Sequence, residues 1–347
     1  MRMLRHLSIY LMALAFALSA CKKNEETPPG QFAHGVFIVN EGNYTDADGS
    51  IGFYDPEDGM VVQDAYEKAN GEPVSGLFQS IYFNEDMAYI IDQLGSKIVV
   101  VKAETFEYVA TIDEGLSTPR YMTVANGKGY VSNWGPFDEN FDLPNSYIAV
   151  VDLSNFNVIN TIITDKGVEG MTTVGDKVYA AASYSNVVHV ISPQADEITG
   201  GFTTPGGPLQ FAEDGTGKLW VLCNDFVTSS LARLNLSNEL VETSFSIAGG
   251  AKSITANAAG TKIYYMCTPW QTPDGVYSID NTATFAPLVP VLSGDGLYGL
   301  GVDSDEIIYI AKSNGTDNGT VVRYTADGNE MDNFAAGRFP NGFVFRE

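Results

Sequence analysis

Residues 119–168 read PRYMTVANGKGYVSNWGPFDENFDLPNSYIAVVDLSNFNVINTIITDKGV, and this stretch decides the fold. It contains four short apolar runs, at Tyr121–Val124, Gly129–Ser132, Tyr147–Val151 and Val158–Ile163. An Asn-Gly-Lys turn, a long polar and aromatic loop, and a Ser-Asn turn separate the runs. Short apolar runs between turn residues are typical of β-strands. We therefore predict a four-stranded antiparallel meander here.

The same pattern recurs along the chain at intervals of 40 to 49 residues when each repeat is aligned on its first strand. An aromatic residue recurs near the start of the second strands, as at Tyr130 and Trp220. A period of this length indicates a β-propeller with one four-stranded blade per repeat. The aligned first strands begin at Gln79, Arg120, Glu169, Leu209, Lys252, Tyr298 and Asn341.

The two ends of the chain each supply part of one more blade. Gly35–Asn40, Ser50–Tyr54 and Met60–Gln63 match second, third and fourth strands, whereas Asn341–Phe345 matches a first strand. Pairing these ends would close a ring of seven blades and cover edges that an open array exposes. The expected fold is all-β, a seven-bladed propeller of four-stranded antiparallel blades. Almost no helix is expected, because no stretch has an amphipathic helical period.

Charge and the N-terminus point to a protein that works outside the cytoplasm. The 347 residues carry a formal net charge of −24, which disfavours binding to nucleic acid or to anionic lipid headgroups. Met1–His6 contains two arginines, and Leu7–Phe16 is apolar but short for a membrane span. The predicted organisation is a signal peptide (1–20), a flexible tether (21–34) and a propeller (35–347).

The residues around Cys21 carry a resemblance. Leu18–Cys21 reads Leu-Ser-Ala-Cys and resembles the lipobox of bacterial lipoproteins, which implies lipidation of Cys21. The acidic residues Glu25 and Glu26 resemble the surface-export signal of Bacteroidetes lipoproteins. Together these resemblances imply a lipid-anchored protein of the outer membrane, exposed at the cell surface. Contact with the membrane is then expected only through the lipid anchor.

Few residues have the pattern of a catalytic or metal site. No Ser/His/Asp arrangement, Cys/His pair or metal-ligand spacing is present, and His189 lies inside a strand. Cys223 and Cys267 end equivalent second strands; free thiols are favoured, and a bridge between neighbouring blades stays open. Asp46 and Asp48 could hold calcium, although loop acids are more often solvated turn residues. We expect a protein without catalytic residues, metal or cofactor, and hence no enzyme.

Strand direction separates the loops of each blade onto two faces. Links from second to third strands, and links to the next blade, share one face; links from first to second strands share the other. The first group is long and rich in aromatic and amide residues, whereas the second consists of short turns. The aligned first-strand residues should surround the central channel on the first face. That face is therefore the predicted binding face.

A funnel of aromatic and amide side chains would suit a large, amide-rich ligand. Arg120, Glu169 and Lys252 could instead form an acid–base set. The predicted ligand-binding residues are Gln79, Arg120, Asn133, Trp134, Tyr184, Asn224, Phe226, Lys252, Trp270 and Tyr298.

The repeats resemble the YncE-like or YVTN-repeat propellers, most clearly at Tyr130–Asn133 (Tyr-Val-Ser-Asn) with Ile148–Asp152. With the lipobox, acidity and one elaborated face, the chain is most similar to the BtuG surface lipoproteins of Bacteroidetes. That resemblance implies binding of cobalamin, a transported corrinoid ligand rather than a cofactor. It also implies transfer to a TonB-dependent outer-membrane transporter of the BtuB type. An adhesin or protein-interaction propeller and a propeller hydrolase or lactonase remain alternatives.

Overall fold

The structure, a computed structural model, describes residues 30–225 and 227–346. Seven four-stranded antiparallel sheets form the blades of a propeller, which confirms the predicted fold class. Within the described residues, the strands and one short helix are, in chain order, β1 (Gly35–Asn40), β2 (Ser50–Tyr54), β3 (Val61–Val62), α1 (Ala65–Asn70), β4 (Phe78–Asn84), β5 (Met87–Asp92), β6 (Lys97–Lys102), β7 (Tyr108–Ile112), β8 (Pro119–Ala125), β9 (Lys128–Asn133), β10 (Tyr147–Asp152), β11 (Asn157–Ile163), β12 (Val168–Val174), β13 (Lys177–Ala182), β14 (Val187–Ser192), β15 (Glu197–Thr203), β16 (Gly207–Glu213), β17 (Leu219–Asn224), β18 (Thr228–Asn235), β19 (Leu240–Ala248), β20 (Ala251–Ala256), β21 (Lys262–Cys267), β22 (Asp274–Asp280), β23 (Leu292–Gly294), β24 (Leu297–Val302), β25 (Ile308–Lys312), β26 (Asn318–Tyr324), β27 (Glu330–Arg338) and β28 (Pro340–Arg346).

The last strand closes the ring by pairing with the first blade. The sheet has the order β28-β1-β2-β3, and Phe37 lies opposite Val344 in the antiparallel register. Near the chain end, the Arg346 guanidinium donates to the carbonyl oxygens of Ala103 (2.7 Å) and Phe32 (3.4 Å). The predicted closure is confirmed, and all seven blades are complete between Gly35 and Arg346.

Burial explains why the inner strands are apolar without alternation. The last five residues of β9 and the middle four of β10 are buried, since neighbouring sheets cover both of their faces. The outermost strand of the same blade, β11, alternates and is largely exposed. The aromatic residues of the second strands are fully buried between blades, as at Tyr130 and Trp220. Truncating one of them to alanine should cost about 3–5 kcal/mol.

The helix α1 has a complete set of local signals. The side chain of Asp64 accepts hydrogen bonds from the backbone of Tyr66 and Glu67, which caps the first turn. Gly71 ends the helix with φ of 81°, a left-handed conformation that favours glycine. No helix in the described part of the chain has the length and apolar character needed to cross a membrane.

The two faces of the ring differ in their loops. We call the face where first strands begin and second strands end the mouth face; it carries the links 41–49, 93–96 and 134–146. The opposite, plain face carries the first-to-second and third-to-fourth links. The first-to-second links are short turns, as predicted. Among the third-to-fourth links, 281–291 between β22 and β23 is long, and no sequence pattern predicted this.

The propeller begins before its first strand. Phe32 is 1% exposed and packs edge-on against Phe53 and Phe106, with ring centroids 5.1 and 5.3 Å away. The compact unit accordingly runs from Gln31 to Glu347. The predicted signal peptide, Cys21 and most of the tether lie outside the described residues.

Candidate functional site

A β-bulge places one side chain of each blade at the mouth of the channel. Near the mouth-face end of β4, Gln79 is left between the pairs Phe78–Asp92 and Ser80–Ile91. A bulged residue leaves the hydrogen-bonded ladder, and its side chain is re-aimed. The same register shift occurs at the aligned residue of every blade: Gln79, Arg120, Glu169, Leu209, Lys252, Tyr298 and Asn341.

Arg120 and Glu169 form a buried ion pair between neighbouring blades. Arg120 Nη2 lies 2.8 Å from Glu169 Oε1, and Arg120 Nε lies 2.9 Å from Glu169 Oε2. The two residues are 8% and 7% exposed. Burial alone would lower the pKa of Arg120, but the Glu169 carboxylate more than offsets this and the pKa is raised. The two charges therefore neutralise each other in a fixed, bidentate geometry.

Arg120 also connects the ion pair to the rim. Its Nη1 donates to Gln93 Oε1, and its guanidinium lies 4.0 Å from the ring centroid of Trp134. Arginine stacks favourably on an indole face in this way. Trp134 is thus held against the polar floor of the mouth by a charged side chain.

Glu41 continues the network to the opposite side of the mouth. Gln93 Nε2 donates to Glu41 Oε1 (3.0 Å), and the Tyr298 hydroxyl donates to Glu41 Oε2 (2.9 Å). Burial and the Glu41 carboxylate raise the pKa of Tyr298, so its hydroxyl stays protonated and remains a donor. The mouth therefore carries one continuous polar network drawn from several blades.

Lys252 differs from Arg120 because no acid neutralises it directly. Its Nζ lies 3.2 Å from the ring centroid of Tyr298, and within the described residues it has no hydrogen-bond partner. Burial lowers the pKa of Lys252 to about 8, although Glu41 and Asp274 act in the opposite direction. Lys252 is therefore the mouth cation best placed to meet an acceptor group of a ligand.

Tyr121 obstructs the channel below the network. Its hydroxyl accepts hydrogen bonds from Gln79 Nε2 (2.9 Å) and Gln210 Nε2 (3.0 Å), which belong to two other blades. A cavity of about 250 Å³ adjoins this bridge and is lined also by Leu300 and Phe343. Pockets for drug-sized ligands are typically about 300–1,000 Å³. A larger ligand would have to rest on the mouth face rather than inside the channel.

Aromatic side chains form the rim of the mouth. The Trp134 ring lies edge-on to Phe137 and Tyr184, with centroids 6.1 and 6.3 Å away. Trp270 is 96% exposed, Tyr184 61% and Phe137 50%. Trp134, Phe137 and Tyr184 therefore form an aromatic cluster beside Arg120, and Trp270 presents a further exposed ring on another mouth-face link.

Not every predicted binding residue lies in the site. Asn133 is fully buried: its side chain donates to the Val131 carbonyl and accepts from the Ser117 backbone N–H, each at 2.9 Å. Its amide is therefore used inside the blade, where it supports the link that carries Trp134. Asn224 is half-buried beside the mouth-face end of β17, and Phe226 lies outside the described residues.

Sequence reasoning missed four members of the network: Glu41, Gln93, Tyr121 and Gln210. For two of them, the sequence position relative to the strands could have predicted their place in the site. Glu41 and Gln93 each follow directly after a second strand, as Trp134 does. The residue after a second strand therefore faces the mouth, just as the residue in the first-strand bulge does. Tyr121 and Gln210 follow the aligned residue by one position, and only the ring geometry brings them together.

The other residues that could act as nucleophiles or metal ligands are either buried or already paired with another side chain. Cys223 and Cys267 are free and fully buried, and burial raises the pKa of both thiols to about 12. Asp46 and Asp48 both accept from Arg338 Nη1, at 2.6 and 3.0 Å. Among the described residues, no group of three or more His, Cys, Asp or Glu side chains is arranged to hold a metal ion.

These features define a seven-bladed β-propeller with a polar, aromatic-rimmed mouth on one face. A family described as a domain of unknown function (DUF5074) matches residues 34–346. The chain belongs to this family. No match was found among curated proteins.

Solved structures of similar shape show the same fold. The periplasmic gluconolactonase PpgL of Pseudomonas aeruginosa has a TM-score of 0.69 at 11% identity, covering 90% of this chain and 99% of that one. A quinonprotein alcohol dehydrogenase-like protein of Bacteroides thetaiotaomicron has a TM-score of 0.68 at 16% sequence identity. The match covers 91% of this chain and 79% of that one. A functionally unknown protein of Desulfotomaculum acetoxidans has a TM-score of 0.66 at 13% sequence identity. The match covers 89% of this chain and 98% of that one. At these identities the likeness extends to the fold alone.

Proposed function

We propose that the mouth binds cobalamin or a related corrinoid at the cell surface and passes it to a TonB-dependent outer-membrane transporter of the BtuB type. The observation that carries the proposal is that exposed aromatic side chains and a continuous polar network lie on the same face of the propeller. In this proposal Cys21 is lipidated and anchors the protein in the outer membrane. The ligand is cargo, and the chain performs no chemistry on it.

The distribution of exposed apolar side chains supports a binding face. Single exposed apolar residues are normal, whereas a group of them on one face marks an interaction site. Of the fifteen large apolar side chains exposed in the described part of the chain, seven lie on mouth-face links. The short first-to-second links have none. The seven are Tyr44, Leu94, Phe137, Phe141, Tyr184, Val227 and Trp270.

The polar network suits the rest of such a ligand. A corrinoid is a flat macrocycle fringed with carboxamides, which both donate and accept hydrogen bonds. Gln93 and Glu41 contribute an amide and a carboxylate to the network that Arg120 links to Trp134, and Lys252 contributes a cation that has no hydrogen-bond partner among the described residues. The Tyr121 bridge supports binding on top of the propeller, because a ligand of this size cannot pass it.

A hydrolytic function is the second candidate, because a structural neighbour is a gluconolactonase and because Arg120, Glu169 and Lys252 lie at one mouth. Against it, the Arg120–Glu169 pair is locked in a bidentate contact, and neither residue is free for proton transfer.

Calorimetric titration of purified residues 31–347 with cyanocobalamin tests the proposal. We expect saturable binding at micromolar ligand. Trp270→Ala should weaken it by about tenfold, because a lost stacking contact is worth about 1–1.5 kcal/mol. Leu240→Ala changes an exposed apolar residue at the start of β19, on the plain face, and is the matched control that should bind like wild type. Absence of heat with wild-type protein would refute the proposal, and lactone turnover would favour the second candidate.

The long link after β9 offers a further test. Leu143 is 1% exposed and Ser146 Oγ donates to the Trp134 carbonyl, so these residues hold the link in place. Phe137–Asp142 can instead be replaced by two glycines without removing those anchors. We expect a folded propeller with weaker cyanocobalamin binding. Unchanged affinity in the shortened variant would place the site elsewhere on the molecule.

A further inference from the structure

The plain face carries one loop whose composition differs from the rest of the molecule. Residues 281–291, the link between β22 and β23, read NTATFAPLVPV and contain no charged side chain, in a chain with a net charge of −24. The loop contains Phe285, Leu288 and Val289, which are 77%, 94% and 78% exposed. Apart from the mouth-face links, no other link in the described part of the chain exposes large apolar side chains.

Hydrogen bonds fix both ends of this loop to neighbouring strands and links. The Asn281 backbone N–H donates to the Thr261 carbonyl (2.9 Å), and Arg233 Nη1 donates to the Asn281 carbonyl (2.6 Å). At the other end the Val291 N–H donates to the Val276 carbonyl (2.8 Å). Ala283 and Ala286 pack against the core between two blades. The small residues therefore face inward, and the three large ones are presented to solvent.

The same face receives the N-terminal segment of the chain. The Phe32 N–H donates to the carbonyl of Glu104 (2.9 Å), in the link between β6 and β7 on the plain face. Ten residues lie between Phe32 and Cys21, the predicted lipid attachment site, so eleven Cα–Cα steps join the two. An extended chain of that length spans at most about 40 Å. A bilayer that holds Cys21 would thus lie within reach of the plain face.

We propose that this loop docks the plain face onto a lipid bilayer, with Phe285, Leu288 and Val289 inserted at the interface. The choice of a bilayer as the occupant rests on the predicted lipidation and on where the chain joins the propeller. Apolar side chains that enter the interface bind in proportion to the area they bury. The uncharged loop in an acidic protein matches neutral rather than anionic headgroups.

Docking in this way orients the proposed binding site. The mouth face is opposite the plain face, so the aromatic rim points away from the membrane and toward incoming ligand. Three inserted side chains would make a reversible contact. The inference requires no particular ligand, and it rests on the proposed function only through the lipidation of Cys21. It adds a second membrane contact to the lipid anchor that the sequence predicts.

Flotation of residues 31–347 with phosphatidylcholine vesicles tests the inference without the lipid anchor. This unit contains all seven blades and the ring closure, so it is a complete fold. We expect vesicle binding that salt leaves unchanged and that falls when phosphatidylserine is added. The double variant Phe285→Asp with Leu288→Asp should weaken binding by about tenfold or more, given the burial energy of two apolar side chains.

Ile163→Asp is the matched control, since Ile163 is 71% exposed at the mouth-face end of an outer strand. It should float like wild type. Equal thermal unfolding of all variants would exclude a folding defect as the cause. Failure of the wild-type protein to bind vesicles, or equal binding by the double variant, would overturn the inference. A dimer that the double variant dissociates would also overturn it, by assigning the loop to a second copy.

Discussion

Lys252→Met should make the protein more stable at neutral pH, although it removes a charged side chain from the site. Burial lowers the pKa of Lys252 from 10.5 to about 8, and each pH unit corresponds to about 1.4 kcal/mol. The charged lysine therefore costs the folded state roughly 3 kcal/mol. Its contact with the Tyr298 ring returns about 1 kcal/mol. The expected gain for the variant at pH 7 is about 2 kcal/mol.

The sign of the pH dependence follows from the direction of the shift. Between pH 8 and 10.5 the unfolded chain binds more protons at Lys252 than the folded chain does. The free energy of unfolding of the wild type should therefore rise with pH across this window. In Lys252→Met this rise should be absent, because the methionine does not titrate. The advantage of the variant should shrink from about 2 kcal/mol at pH 7 toward zero near pH 10.

Urea unfolding followed by tryptophan fluorescence, at pH 7 and pH 10, measures both quantities. Lys177→Met, at the plain-face end of β13, is the control and should change stability by less than about 0.5 kcal/mol. A variant less stable than wild type at pH 7 would refute the reasoning, as would a difference that does not change with pH. A residue retained at a cost in stability is what a binding role for Lys252 predicts.

Two further predictions concern other buried charges. Glu169→Ala should destabilise the protein by about 3 kcal/mol in the same urea assay, because it leaves the Arg120 guanidinium buried and unpaired; a loss below about 1 kcal/mol would contradict this. Burial lowers the pKa of His189, with Asp165 opposing, so the folded state resists protonation and wild-type stability should fall as pH drops below about 6.5. His189→Gln should lose less over that range, by up to about 1.4 kcal/mol per pH unit, and parallel pH profiles would contradict the assignment.

Much of the fold could be predicted because a propeller repeats one local pattern. Each blade has its own turns and apolar runs, so the alignment located the bulged residue of all seven first strands without long-range information. The polar network could not be predicted in the same way. The Tyr298–Glu41 hydrogen bond joins residues 257 positions apart. At Asn133 the sequence predicted a binding residue where there is none. Its amide makes both of its hydrogen bonds to the backbone inside the blade.

The sequence by itself determined the blade period and the aligned first-strand residues, because turns and short apolar runs are local properties that residues 119–168 already contain. The incomplete blades at the two ends of the chain further predicted the closure of the ring. Only the tertiary structure decided that Arg120 is neutralised by Glu169 while Lys252 is not, and that Tyr121 obstructs the channel. Those outcomes depend on side chains from different blades meeting within hydrogen-bond distance, which is set by the size and curvature of the closed ring.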